Sequence, residues 1–297
     1  MATLYTHTDS NIRKTWILLF LFLIFIIALG WIFSYLLDNS FFLVFAVLLS
    51  FFQSFVSFWY SDKILLAMSG ARLIEKRDHP ELYRIVENLA ITAGLPLPKI
   101  YIINEAQPNA FATGRDPKHG VIAVTRGLLE KLDRSELEGV IAHELAHIGN
   151  RDMLLGTVVV ILVGVVALLS RMFLRMSFYS GGRKRRQSRG GGGILILLGV
   201  VGAILAPLAA SLIRLAISRK REFLADTSGA LLTRYPEGLA RALEKISQDP
   251  YPLKRADNSM AHLYICNPFR EKNWLTNMFS THPPIEERIK ILRGMKV

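Results

Sequence analysis

The chain has 297 residues, of which 51% are hydrophobic, and its formal net charge at pH 7 is +12. The apolar residues concentrate in long uncharged runs, which excludes a purely soluble protein. The single cysteine, Cys266, cannot form a disulfide within the chain, and no nucleic-acid recognition motif accompanies the positive charge. The basic residues are therefore interpreted as surfaces that lie next to anionic lipid.

Two apolar runs begin the chain and predict an N-terminal membrane region over residues 1–61. Spans are expected at about 15–37 and 40–60, because each run is uncharged and about long enough to cross a bilayer as a helix. Arg13 precedes the first span and Lys63 follows the second, whereas the turn between the spans carries no Lys or Arg. The positive-inside rule therefore predicts a multi-pass protein whose N-terminus and soluble part lie in the cytoplasm.

Residues 62–152 are predicted to form the first part of the soluble domain. Asp78 and Glu81 match a capping box, which indicates the start of a helix. Lys99–Ile103 and Gly120–Thr125 are rich in β-branched residues and predict two strands.

The most specific feature of the chain is the pattern His-Glu-x-x-His at His143, Glu144 and His147. It follows a capping-box pattern at Asp133 and Glu136, so it lies inside a well-started helix. Positions i and i+4 share one helical face, so the two histidines can bind one metal ion while Glu144 reaches a water molecule beside it. The pattern predicts a zinc peptidase with Glu144 as catalytic base. The alternative is an amphipathic helix with solvated His and Glu side chains.

Two carboxylates one helical turn apart, Glu222 and Asp226, offer the third ligand that a catalytic zinc site requires. Glu222 is predicted to bind the ion. Asp226, in the second shell of the site, is predicted to accept the free ring N–H of a ligating histidine. The alternative is that both carboxylates merely balance the basic run 219–221. The zinc reading requires one Zn²⁺ per chain and leaves its fourth position to water.

An inserted hydrophobic hairpin over residues 153–217, with a basic loop at 175–192, separates the two halves of the predicted site. His143 and Glu222 flank it and must meet at one ion, so the hairpin crosses the bilayer either twice or not at all. A double crossing places the basic loop outside, against the positive-inside rule, whereas the other alternative buries the runs in the protein. We prefer the crossing because both runs are apolar on all sides. Residues 218–297 then complete the soluble domain.

The predicted architecture is α+β and predominantly helical, with two N-terminal transmembrane helices and the inserted hydrophobic hairpin. The chain resembles the HtpX family of membrane-bound zinc metallopeptidases, which are relatives of the prenyl-protein (CAAX) endopeptidases. The resemblance covers nearly the whole chain. Besides the two spans, it rests on Asn109–Ala112, His143–Asp152, Glu222 with Asp226, and Thr281–Pro284 followed by Arg288.

The resemblance implies a zincin-like peptidase domain with His143, His147 and Glu222 as zinc ligands and Glu144 as base. It implies an endopeptidase at the inner membrane of a bacterial cell, with its catalytic domain facing the cytoplasm. The expected partners are the lipid bilayer and protein substrates, namely damaged or misassembled membrane proteins cleaved in quality control and the stress response. No nucleic acid is expected, and the oligomeric state is left open.

Two further groups of residues are candidates for parts of the mechanism. His282 and Arg288 are candidate catalytic donors that stabilise the oxyanion; the alternative is a helix cap and a surface cation. A candidate substrate-binding edge strand, for which the alternative is an ordinary hairpin, comprises Asn109, Ala110, Phe111 and Ala112.

Two other functions compete with proteolysis of membrane proteins. A zinc-stabilised membrane scaffold or holdase has no need of Glu144, and a purely structural site usually fills all four ligand positions. A protease that processes prenylated C-termini needs a large enclosed chamber and more spans than the four predicted here. Both are disfavoured on these grounds.

Overall fold

The computed structural model describes residues 4–36, 38–181, 201, 219–251, 260–266 and 283–295. Two long helices open the chain, α1 (Leu4–Leu36) and α2 (Phe41–Trp59), and they pack against each other. Three stretches among the described residues are long and apolar enough to cross a membrane: Asp9–Tyr35, Phe41–Trp59 and Asp152–Arg171. The first two coincide with the spans predicted from the sequence.

The chain continues with α3 (Ser61–Ser69), β1 (Arg72–Leu73), α4 (Pro80–Thr92), β2 (Lys99–Ile103), β3 (Ala110–Thr113), β4 (Val121–Thr125), α5 (Arg126–Lys131) and α6 (Arg134–Gly149). It continues after the hairpin position, whose first arm is α7 (Asp152–Gly181), with α8 (Arg219–Thr233), α9 (Pro236–Gln248) and α10 (Ile285–Gly294). The two predicted strands are therefore present as β2 and β4. The predicted cap of α4 is wrong by one residue, because the His79 ring, not Asp78, accepts from the Leu82 N–H.

The apolar stretch of α7, Asp152–Arg171, forms the first arm of the predicted hairpin and is mostly buried inside the protein, whereas the buried share is only 28% and 22% in the apolar stretches of α1 and α2. Val158 and Leu162 of α7 pack in one apolar cluster with Leu18 and Phe22 of α1. This arm thus combines the length of a membrane span with the burial of a core helix. The predicted start of the basic loop at residue 175 is wrong, because α7 continues as a helix to Gly181. The remainder of the predicted loop and the second arm, except for Val201, lie outside the described residues.

A four-stranded sheet has the strand order β1-β2-β4-β3. β2 and β4 are parallel, β3 is antiparallel to β4, and β1 is antiparallel to β2. Every residue of β4 is buried, which explains its unbroken apolar run. The edge strand suggested for Asn109–Ala112 exists as β3, shifted by one residue, and it occupies one edge of the sheet.

Helix α6 contacts α4, α8, α9 and β3, and it approaches α8 very closely. A Cβ atom at Gly229 of α8 would stand 2.9 Å from the backbone nitrogen of His143. Only glycine therefore fits at this contact without moving the helices apart. Because the contact lies two turns from Glu222, it sets the distance between the two halves of the predicted site.

One hydrophobic core contains residues from both sides of the predicted hairpin. It contains Leu82 and Leu145 from before the hairpin together with Leu239 and Leu292 from after it, and all four are fully buried. The segments are far apart in sequence but form one packed unit.

Candidate active site

Helix α6 carries three of the predicted site residues, and the predicted capping box fixes its start. The Asp133 side chain accepts a hydrogen bond from the Glu136 N–H, and the Glu136 side chain accepts one from the Asp133 N–H, each at 2.9 Å. Two and a half turns further on, the Nε2 atoms of His143 and His147 lie 3.1 Å apart. The helical spacing therefore brings both rings to one point, as the sequence predicts.

Glu222 of α8 completes a group of three potential ligands. Its Oε1 is 3.7 Å from Nε2 of His147, and its Oε2 is 3.9 Å from Nε2 of His143. The ligand atoms of the three side chains all lie within 4.8 Å of one another. Two ligands bound tetrahedrally to zinc at its usual bond lengths are about 3.4 Å apart. The spacing of this group therefore fits a single ion.

A carboxylate lies against the outer nitrogen of each ring. Nδ1 of His143 is 2.9 Å from Asp226 Oδ1, and Nδ1 of His147 is 3.3 Å from Asp152 Oδ2. Each carboxylate favours the tautomer protonated at Nδ1, which leaves an acceptor lone pair on Nε2. Two acceptor nitrogens that face each other repel unless a cation lies between them, so the arrangement suits a metal. Burial lowers the pKa of His143, which favours the neutral, metal-binding ring, whereas Asp152 and Glu222 outweigh burial at His147 and raise the pKa of that ring to about 9, so a bound metal would displace its proton.

Asp226 is itself held by Arg288 of α10. Nε and Nη2 of Arg288 donate to the two carboxylate oxygens of Asp226 at 2.8 and 2.7 Å, and Nη1 lies 3.7 Å from Glu222 Oε2. Both partners of the two-point pair are fully buried. Burial alone raises the pKa of Asp226, but the guanidinium outweighs that effect and brings the pKa to about 2. Asp226 is therefore a carboxylate, able to accept from His143.

The position of Arg288 bears on its predicted catalytic role. Its side chain has no exposed surface and does not line the cavity beside Glu144. The geometry instead places it behind Glu222 and behind Asp226, the carboxylate that contacts His143, and the surface-cation alternative is wrong. The other candidate donor, His282, lies outside the described residues.

Glu144 faces a cavity of about 50 Å³ that His147 and Glu222 also line. Its side chain is buried, and burial raises its pKa to about 7. A carboxyl group with a pKa near neutrality can both accept and return a proton at physiological pH. The alternative of a solvated helix face is wrong, because His143 and Glu144 are each only 1% exposed.

The four residues proposed to bind substrate have different surroundings, because segment 260–266 covers three of them. Asn109 donates to a backbone carbonyl of this segment at 3.0 Å, and the Ala110 carbonyl accepts from a backbone N–H of it at 3.0 Å. The buried Phe111 ring packs edge-on against a tyrosine of the segment, with 5.2 Å between centroids. Of the four, Ala112 lines the cavity. The accessible part of β3 therefore lies at its C-terminal end.

A chain of polar contacts that the sequence did not reveal connects α1 with the metal group. Asn11 Nδ2 donates to Asp152 Oδ1 at 2.6 Å, and Arg221 Nη1 donates to Asn11 Oδ1 at 3.2 Å. Asp152 then faces His147. Asp152 lies five residues after His147, so its closeness to the His-Glu-x-x-His pattern could have marked it as part of the site. Asn11 is far from that pattern along the chain, and no sequence signal points to it.

The cavity wall also includes His262, whose Nε2 is 3.3 Å from the carbonyl oxygen of Gly156. The sequence assigns it no role in the site, because an isolated histidine has no spacing pattern. Because this ring is buried against α7, segment 260–266 forms part of the wall of the cavity that Glu144 faces.

Comparisons with known proteins agree with this geometry. Residues 76–296 match Peptidase family M48. The chain is 48% identical over 298 residues to a protein named Protease HtpX homolog from Dictyoglomus thermophilum, with 99% of this chain and 95% of that protein covered. It is 45% identical over 301 residues to a protein of the same name from Caldanaerobacter subterraneus, with 99% of each chain covered.

The crystal structure of S. mikatae Ste24p has a similar fold, with a TM-score of 0.51 and 20% sequence identity over 97% of this chain and 67% of that one. At this identity the likeness shows the fold alone. The family match and the relatives carry the functional assignment. The chain therefore belongs to peptidase family M48 and, within it, to the HtpX proteases, which makes it a metalloprotease of the membrane.

Proposed function

We propose that the chain is a zinc-dependent integral-membrane endopeptidase that holds one Zn²⁺ through His143, His147 and Glu222. The observation that carries the proposal is the convergence of these side chains beside the buried Glu144. Two imidazoles and one carboxylate, with a fourth position left for solvent, are a typical donor set of catalytic zinc.

Bound zinc supplies Lewis acidity, which polarises the scissile carbonyl and makes water a better nucleophile. Glu144 accepts a proton from the attacking water and passes it to the leaving nitrogen, as its near-neutral pKa permits. Asp226 and Asp152 keep the two imidazole rings in the required tautomer and orientation. Arg288 keeps Asp226 ionised and fixed in place.

The substrate is proposed to bind in an extended form along the C-terminal end of β3. The Thr125 N–H bonds to the Asn109 carbonyl, and the pairing alternates along the strand, so Ala112 directs its backbone groups away from β4. The Ala112 N–H indeed reaches Glu144. A substrate strand placed here presents mainly its backbone to the enzyme, which suits a protease that accepts many sequences.

The site is proposed to lie at the cytoplasmic face of a bacterial inner membrane. Because Asn11 contacts Asp152, the starts of α1 and α7 lie on the same side of the bilayer as the metal ligands. The basic residues around the spans assign that side to the cytoplasm. The two soluble segments, 62–152 and 218–297, would form one peptidase domain around the inserted hairpin 153–217. Its substrates would be damaged or misassembled membrane proteins, cleaved in quality control and the stress response.

One of the two competing functions is excluded and the other is disfavoured. Membership of a peptidase family overturns the scaffold without turnover. Processing of prenylated C-termini is disfavoured by the size of the cavity beside Glu144, because about 50 Å³ is roughly a third of a cavity that holds one benzene molecule.

The test measures the zinc content and the proteolysis of the full-length protein in detergent. We expect about one zinc per chain by elemental analysis, loss of casein cleavage in chelator and recovery on addition of Zn²⁺. Cleavage that persists after removal of the metal would contradict the zinc mechanism. Faster cleavage of a prenylated peptide than of casein would favour the competing substrate class.

A further inference from the structure

A second cavity, of about 470 Å³, lies where the end of α2 meets the sheet. It shares no lining residue with the cavity beside Glu144. Its wall combines three amphipathic rings with four cationic side chains: Trp59, Tyr60, Tyr101, Lys63, Lys99, Arg115 and Lys118.

Positive charge predominates in this cavity. Asp62 is the one carboxylate among the described lining residues. Asp116 lies nearby, 3.5 Å from Arg115 and 2.8 Å from His119. In the part of the chain that the structure describes, no carboxylate forms an ion pair with the ammonium group of Lys63, Lys99 or Lys118. The cavity therefore offers cations to an anion from outside the protein.

The cavity also lies at the level expected for lipid headgroups. The apolar stretch of α2 ends at Trp59, and Trp and Tyr are enriched where a membrane meets water. The Arg115 guanidinium lies 4.5 Å from the Trp59 ring centroid, and the Lys63 ammonium lies 5.0 Å from that of Tyr60. These contacts hold the charges beside the aromatic rings, while Phe55 and Trp59 remain 55% and 45% exposed. One side of the cavity is thus apolar and the other is basic.

We propose that this cavity binds the phosphate headgroup of an anionic phospholipid from the surrounding bilayer. The lysine ammonium groups contact the phosphate oxygens, and the acyl chains lie along the exposed apolar face of α2. The lipid joins the end of the membrane region to the sheet, because Lys63 precedes β1 whereas Lys99 begins β2. The proposal does not depend on the proteolytic mechanism.

The experiment measures the affinity of the full-length protein in detergent for phosphatidylglycerol by native mass spectrometry. Lys99→Gln combined with Lys118→Gln removes two charges from the cavity, and both side chains are exposed, so the fold should be kept. Arg84→Gln combined with Lys290→Gln removes two charges from other exposed positions and is the matched control. We expect the affinity to fall roughly 25-fold in the cavity variant, since each basic residue near the lipid contributes about fivefold. The control should change by about twofold or less.

Phosphatidylcholine and inorganic phosphate are the two further probes. Tighter binding of phosphatidylglycerol than of phosphatidylcholine, with no displacement by an equal concentration of inorganic phosphate, would support the lipid site. Equal affinities for the two lipids, or equal losses in the two double variants, would overturn the proposal. Displacement of the lipid by equimolar inorganic phosphate would also overturn it, because the site would then recognise free phosphate.

Discussion

Arg288 and Asp226 form a two-point ion pair that is closed to solvent, with donor–acceptor distances of 2.8 and 2.7 Å. The same carboxylate contacts the outer nitrogen of His143. The last helix of the described chain therefore supports a metal ligand of α6 without providing a ligand itself. This relationship makes the stability of the fold and the geometry of the metal group depend on one guanidinium.

Arg288→Met should lower the free energy of unfolding by about 3–5 kcal/mol, because it leaves the Asp226 charge buried without its partner. Arg293→Met on the same helix is the matched control. Its pairs with Glu237 and Glu244 are exposed, so its loss should matter much less. Denaturant unfolding in detergent compares the two variants. Equal losses in the free energy of unfolding would show that the buried pair stabilises the fold no more than the exposed pairs of Arg293.

The stability that Asp226 provides should depend on pH. Its folded-state pKa of about 2 is below the ordinary 3.8, so its contribution is complete above about pH 5 and is lost as the pH falls towards 2. The shift corresponds to about 2 kcal/mol. Thermal unfolding of wild type and Asp226→Asn in chelator should therefore show a gap that is constant above pH 5 and narrows in acid. A gap that widens in acid would reverse the assigned sign.

Glu144→Gln should keep the metal and lose at least 10²–10⁴-fold in the rate of casein cleavage, because the amide cannot accept the proton of water. Glu138→Gln, on the same helix but paired with Arg134 near the surface, is the control and should retain activity. Elemental analysis of both variants separates loss of the base from loss of the ion. Substantial cleavage by a metal-loaded Glu144→Gln protein would remove Glu144 from its role.

Asn11→Ala should weaken metal binding by up to about tenfold, because Asp152 loses the amide that positions it against His147. Thr15→Ala is the control, since the Thr15 hydroxyl bonds to the Asn11 carbonyl within α1 and reaches no part of the site. Competition with a chromogenic chelator gives the affinity independently of proteolysis. Unchanged affinity in Asn11→Ala would mean that α1 does not position the ligand.

Gly229→Ala should lower the free energy of unfolding by about 1–3 kcal/mol and reduce metal affinity, because the new Cβ would stand 2.9 Å from the His143 backbone and push α8 from α6. Gly164→Ala places a methyl group where no heavy atom lies within 4 Å, and it should be neutral or slightly stabilising. Thermal unfolding and chelator competition test both variants. A well-tolerated Gly229→Ala would show that the helices have room to adjust.

The parts of the site that follow from local spacing could be predicted from the sequence. His143 with His147, and Glu222 with Asp226, each lie one turn apart on a helix, and helical geometry brings each pair to one face. The start of α6 is equally local, since its capping box involves residues three apart. Two of the strands follow from short β-branched runs in the same way.

Other features depend on contacts that no local pattern encodes. An arginine in an amphipathic helix normally faces solvent, so the burial of Arg288 follows only from the position of Asp226. Asn11 meets Asp152 through the packing of α1 against α7. Hydropathy likewise cannot separate a lipid-facing helix from a protein-facing one, and the stretch Asp152–Arg171 of α7 is mostly buried although its length and composition are those of a membrane span.

Arg288 lies in the last described helix and follows all three proposed zinc ligands along the chain. A ribosome reaches its codon only after it has translated the spans, the sheet and every proposed zinc ligand. Until then Asp226 lacks the cation that fixes it, and the His143 ring lacks its support. The three proposed zinc ligands are thus translated before the guanidinium that fixes Asp226, so the metal group reaches its final geometry only after α10 has packed against α8.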